Sequence, residues 1–214
     1  MSNVMGKMNS LRVAMAIVET ASSEIQILMG KGLVRIQKSP LKDGAESYFV
    51  RLPERPEQIP YGRLLLLQIE VGLGLELVLK ILIKDFERCH HKHSLKYLYR
   101  QLDDDWTQEI DRCYRRCRMY DSGRYPIIKG RERLKQKHYF VKALNPPETA
   151  EDYFSWCDNH KLFTSRYEYL ELHKTGTRFI ILPLRALEFL RALVTSDKIL
   201  THCGFDPMSE SLEN

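Results

Sequence analysis

Between Met8 and Met29 the apolar residues Leu11, Met15, Val18, Ile25 and Leu28 recur at helical spacing, while Glu19, Ser22, Ser23 and Gln26 fill much of the other side. That pattern predicts an amphipathic helix ended by Gly30 and Gly32. Beyond it, Leu33 to Leu52 alternates loosely around a turn signal at Pro40 to Gly44, which predicts a short β-hairpin or an extended excursion. Three prolines between Pro53 and Pro60 remove backbone donors and disfavour helix just before each one, so this stretch reads as an irregular linker.

From Gly62 to about Arg88 leucines and isoleucines occupy several faces, as expected of the most buried helix of a bundle. Gly72 and Gly74 weaken that helix by about 1 kcal/mol each and suit a close helix crossing. A polar break, Cys89 to His93, precedes Ser94, which can cap a helix carrying Leu95, Leu98 and Leu102. Asp103 to Asp105 then open another helix through Arg118. Gly123 to Gly130, with Pro126, reads as a loop, and Arg131 to Leu144 fits neither period. Pro146 and Pro147 break the chain, and Thr149 to His160 reads as a capped helix start. After Gly176 the stripe Leu184, Leu187, Phe189, Leu190 and Val194 predicts a last helix with Pro183 near its start, and a frayed polar tail follows from Asp206 to Asn214. The expected fold class is all-α. It is an up-and-down helical bundle with a hairpin or extended excursion near 33–52, forming one domain over residues 1–205 with 206–214 as its tail.

Composition agrees with that outline: 214 residues, 43% hydrophobic and 29% charged, suffice for one well-packed globular domain. The longest apolar runs, Leu64 to Leu67 and Leu77 to Leu79, are soon interrupted, so no spanning segment of about 20 apolar residues and no membrane partner are expected. Met1 to Ser10 lacks the pattern of a secretory signal. Five cysteines (Cys89, Cys113, Cys117, Cys157, Cys203) form an odd set without disulfide-framework spacing, which fits thiols in a reducing compartment and a cytoplasmic location.

Charge changes the picture more. The net charge is +5, and Arg112 to Lys137 alone holds ten Arg or Lys against two acids. Tyr114, Tyr120 and Tyr125 are interleaved with these cations, the composition of a single-stranded RNA surface, with cations for phosphates and rings for stacking. Arg112, Arg115, Arg116, Arg118, Arg124, Lys129, Arg131 and Arg133 are the candidate RNA contacts. The same run also fits a solvated face balanced by Asp103 to Asp105 and Glu109. Cys89, His90, His91 and His93, with Cys113 and Cys117 downstream, carry zinc-type ligands at the wrong spacing, so neither a metal site nor a cofactor is expected. Phosphate-loop, Gly-x-Ser-x-Gly and HExxH motifs are absent.

The segment Glu76-Leu77-Val78-Leu79-Lys80-Ile81-Leu82-Ile83, followed by His93-Ser94-Leu95-Lys96-Tyr97-Leu98, resembles the paired-helix signature of many HEPN-superfamily proteins. Arg166-Tyr167-Glu168-Tyr169, ahead of a leucine-rich terminal helix, is similar to a second element of some members. The resemblance covers about one third of the chain. It implies a helical bundle that commonly forms homodimers and, in many members, a metal-independent ribonuclease in which an Arg is followed four to six residues later by a His. Other members act as binding or scaffolding modules.

A ribonuclease of that kind needs a base for the ribose 2′-OH and a cation for the charge that builds on the phosphate, roles that His and Arg suit. Arg88 and His93 have the spacing at the turn between the two matched helices. Arg133 with His138, Arg131 with His138 and Arg166 with His173 have it too, and Cys89 stands where the family often places a polar residue. Glu76 and Lys80, four apart, are an exposed pair in the plain reading. If their helix is central, they line the site or a dimer interface, because charges are not buried unpaired. The expected function is RNA-directed, a metal-independent endoribonuclease of toxin or phage-defence type with RNA and a neutralising protein as partners. The alternative is a non-catalytic module that binds RNA, nucleotide or a partner protein.

Overall fold

The computed structural model describes residues 2–40, 46–51, 61–85, 89–117, 120–121, 126–129, 139–140, 147–159, 177–179 and 183–205. Its helices are α1 (Ser2–Gly30), α2 (Tyr61–Leu82), α3 (Leu95–Tyr99), α4 (Asp104–Arg116), α5 (Ala150–Asn159), α6 (Leu184–Val194) and α7 (Asp197–His202). The protein is mostly helical, as the hydrophobic periodicity requires, and its core is built between helices.

On α1 the buried positions are Leu11, Ala14, Val18, Ala21, Ile25 and Leu28, alternating steps of three and four that keep one face on α2 and α6. Ala14 and Ala21 complete this stripe, whereas Met15 is only partly buried. By length and composition residues 4–30 could cross a membrane, so the expectation of no such segment is too strong for α1. Its inner face is nevertheless part of the helical core.

The central helix is α2, with Leu64, Leu67, Val71, Leu75, Val78, Leu79 and Leu82 buried against α1, α3 and α6. Gly74 marks the crossing with α6: a Cβ built there would lie 2.4 Å from Cδ2 of Leu190. Helix α6 buries Leu184, Ala186, Leu187, Phe189, Leu190, Leu193 and Val194, and so touches α1, α2, α4 and α7.

Side-chain caps set the short helices. Ser94 Oγ accepts from Tyr97 N at 3.1 Å, Asp103 Oδ1 from Trp106 N at 3.2 Å, and Thr149 Oγ1 from Asp152 N at 3.1 Å. Helix α7, absent from the sequence reading, starts at Ser196, whose Oγ accepts from Ile199 N at 3.4 Å. The signal was there: a serine two residues ahead of Lys198-Ile199-Leu200.

The excursion near 33–52 is an antiparallel hairpin of β1 (Arg35–Pro40) and β2 (Glu46–Arg51), with Ile36 opposite Val50 and Lys38 opposite Tyr48. Strand β3 (Tyr120–Asp121) runs parallel to β2. A second small sheet has the order β5-β4-β6, from β5 (Tyr139–Phe140), β4 (Pro126–Lys129) and β6 (Thr177–Phe179). Residues 126–129, expected in a loop, are therefore a strand. β-Branched Ile127 and Ile128 favour extended backbone, and Pro126 occupies the first position, where a strand tolerates proline. The Pro53 to Pro60 linker, the 206–214 tail and Arg166 to Tyr169 lie outside the described residues.

Candidate functional site

The end of α2 and the loop before α3 bring three sequence-predicted residues together. Glu76 and Lys80 are 6% and 7% exposed, so the solvated-pair reading fails; Lys80 Nζ donates to Glu76 Oε1 at 2.8 Å inside the helical core. A lone charge in that position would be prohibitive, and the pair is tolerable because each partner compensates the other. Lys80 Nζ also donates to the His90 carbonyl at 2.8 Å. Together with the buried Cys89 and the turn closed by Lys92 N and the Cys89 carbonyl at 2.9 Å, this ties the loop to α2.

His93 completes the cluster, with Nδ1 2.9 Å from Glu76 Oε1 and its side chain 33% exposed. In the tautomer with its proton on Nδ1, His93 donates this bond to the carboxylate and carries its lone pair on Nε2. An arrangement of this kind can orient a base: a buried carboxylate at Nδ1 restricts tautomer and ring plane.

Next to His93 the amino end of α3 is already occupied by a carboxylate. Asp158 accepts from Ser94 Oγ at 2.7 Å, Leu95 N at 3.1 Å and Lys96 N at 3.0 Å. An anionic ligand at this site is therefore held by side chains and not by the helix terminus. The loop supplies one exposed cation, Lys92, beside the exposed rings of His90 and His91. Desolvation lowers the His91 pKa, and the neighbouring charges of Lys92, His90, His93 and Lys80 push it the same way. Arg88, the expected cationic partner of His93, lies outside the described residues.

The basic segment is less uniform than its composition. Arg112 is exposed, yet its guanidinium is forked onto Glu109: its Nε donates to Glu109 Oε2 at 2.7 Å and its Nη2 to Glu109 Oε1. Arg115 and Arg116 are exposed and, with Gln108, Asp111 and Arg112, line a shallow depression of about 440 Å³. Arg118, Arg124, Arg131 and Arg133 lie outside the described residues, and Lys129 is on β4.

Sequence reasoning treated Glu109 as part of a solvated acidic counterpart; it is instead a buried latch. Only 7% exposed, it takes the Arg112 fork, a hydrogen bond from Ser196 Oγ at 2.6 Å and a contact from the Cys113 thiol at 3.6 Å. Arg112 and then Ser196 hold its carboxyl at a pKa of about 2 despite burial. Arg185 was also missed. Its guanidinium lies 4.6 Å from the Tyr114 ring centroid and 5.4 Å from that of Tyr153, and donates to the Pro147 carbonyl at 3.3 Å, joining α4, α5 and α6.

No three His, Cys, Asp or Glu side chains converge as a metal site among the described residues. Burial pushes the thiols of Cys113 and Cys117 up to about 12 and that of Cys203 up to about 11, so at neutral pH none of them is a thiolate nucleophile. No family model, curated protein or solved structure matches the chain.

Proposed function

We propose that the protein acts on RNA as a metal-independent endoribonuclease, with His93 as general base. The observation that carries this reading is the 2.9 Å contact between His93 Nδ1 and Oε1 of the buried Glu76 carboxylate, the same oxygen that Lys80 Nζ contacts. In the reaction, Nε2 removes the proton of a ribose 2′-OH, and the alkoxide attacks the adjacent phosphorus. The P–O5′ bond breaks, leaving a 2′,3′-cyclic phosphate and, after proton return, a 5′-hydroxyl. Arg88, assigned by the resemblance, supplies the cation for the pentacoordinate phosphate. Glu76 and Lys80 are positioning residues: both are buried, and both are committed to holding His93 and its loop.

The test is cleavage of a long labelled RNA in EDTA by the wild type beside His93→Ala, with both checked for folding. Cutting by the wild type alone, with cyclic-phosphate ends, supports the reading. If neither cuts any RNA, the non-catalytic binding module takes its place. Equal cutting by both sends the base elsewhere.

A further inference from the structure

Beside His93 lies a small aromatic and cationic surface that the proton-transfer step does not use. Tyr97, in the first turn of α3, is 39% exposed, while its neighbours Leu95 and Leu98 are buried. Its backbone is fixed: Tyr97 N donates to Ser94 Oγ at 3.1 Å, and Leu98 N donates to the Ser94 carbonyl at 3.0 Å. The ring is thus presented by a rigid scaffold, which limits the entropy lost when something packs on it. Lys92 Nζ lies 5.7 Å from the ring centroid, and Lys92 is the chain neighbour of His93. On the same loop the His90 and His91 rings meet edge to face with centroids 5.3 Å apart.

We propose that Tyr97 and Lys92 form a nucleotide subsite beside His93, in which a base of single-stranded RNA stacks on the Tyr97 ring and a neighbouring phosphate lies against Lys92. The subsite rests on the RNA-directed reading above and deepens it by naming what holds the substrate. Single strands are required because a duplex hides base faces within its own stack, whereas every unpaired base offers one. An exposed cation over a ring is weakly held, so Lys92 can leave the face of Tyr97 for a phosphate while a base takes its place. With Asp158 filling the α3 terminus, the phosphate charge is met by Lys92. The RNA surface therefore includes residues 90–97, beside the base.

The experiment measures binding separately from cutting, by fluorescence anisotropy with a labelled single strand of about 12 nucleotides that is 2′-O-methylated throughout and cannot be cleaved. Tyr97→Phe keeps the ring and is expected to bind within about twofold of wild type, whereas Tyr97→Leu and Tyr97→Ala weaken binding by about fivefold or more. Lys92→Gln is expected to lower the slope of log affinity against log salt by about 0.7, the value for one phosphate on a single strand. Thermal melts of each variant keep a folding defect from posing as a binding one. If Tyr97→Ala binds like wild type, the subsite is overturned even where RNA is bound and cut. If the wild type binds no oligonucleotide at low salt, the RNA reading falls and the subsite with it. Ring-dependent binding without cleavage upholds the subsite and removes only the nuclease.

Discussion

Two buried carboxylates in this protein look alike until their third partner is considered. Glu76 and Glu109 are each less than a tenth exposed, and each is paired with a cation one helical turn on, Lys80 or Arg112. Beyond that cation, Glu109 meets the Ser196 hydroxyl and the Cys113 thiol, groups that stay protonated at neutral pH, so its network can only hold α4 to the start of α7. Glu76 meets the imidazole of His93, a ring one third open to solvent and the base of the proposed reaction. A buried ion pair is therefore not itself the mark of a site. What it is hydrogen-bonded to decides whether it is a latch or an orienting group.

The sharpest way to break this comparison is to neutralise each carboxylate without changing its shape. Under the proposed mechanism Glu76→Gln removes the acceptor that sets the His93 tautomer, and RNA cleavage in EDTA is expected to fall by about a hundredfold or more. Glu109→Gln is expected to leave the cleavage rate unchanged once both variants are shown to be folded. Equal losses in the two variants would mean that the distinction drawn from their third partners is wrong.

Next in size is a stability effect. Lys80→Ala leaves the Glu76 carboxylate buried without its cation and removes the donor that ties down the His90 carbonyl, a loss of about 3–5 kcal/mol in chemical denaturation. Adding Glu76→Gln to Lys80→Ala is expected to return much of that loss, because the uncompensated charge disappears. Simple additivity of the two substitutions would show that the pair is not coupled as its 2.8 Å contact implies. For the latch, Glu109→Ala is expected to cost about 1.5–3 kcal/mol, the scale of hydrogen bonds to a charged group, with its effect shared by Ser196→Ala.

The two carboxylates also differ in how visible they are from sequence. Glu76 and Lys80 stand out because they interrupt a helix that is apolar on several faces, and burial of such a helix forces the question of what pairs with them. His93 is singled out only by the resemblance, which places a His at the opening of the next helix. Glu109 sits on α4, which is polar overall, and its burial depends on Ser196, 87 residues away, which local periodicity does not reach. The same holds for the fold. Long apolar stripes and Ser, Asp and Thr caps give α1 to α6 and the 33–52 hairpin. Ala14 and Ala21, small enough to be passed over as core, and α7, one short turn past a cap, escape that reading because their burial is set by tertiary packing. Arg112 shows the converse: composition counts it among the surface cations, and its fork to Glu109, also set by tertiary packing, is invisible there.

The mildest perturbation is acid, and it tests the latch. Glu109 has its folded-state pKa lowered to about 2 from an ordinary value of 4.5, chiefly by the Arg112 fork. A depressed carboxylate contributes stability that is fully present above its unfolded pKa and is lost as pH falls through the folded one. The Glu109 contribution is therefore intact above about pH 4.5 and disappears progressively down to about pH 2. Thermal melts between these limits should show a steeper loss for the wild type than for Glu109→Gln, which has no proton to take up there. Parallel curves for the two proteins would mean that Arg112 and Ser196 do not hold the charge in solution, and the latch would lose its electrostatic basis.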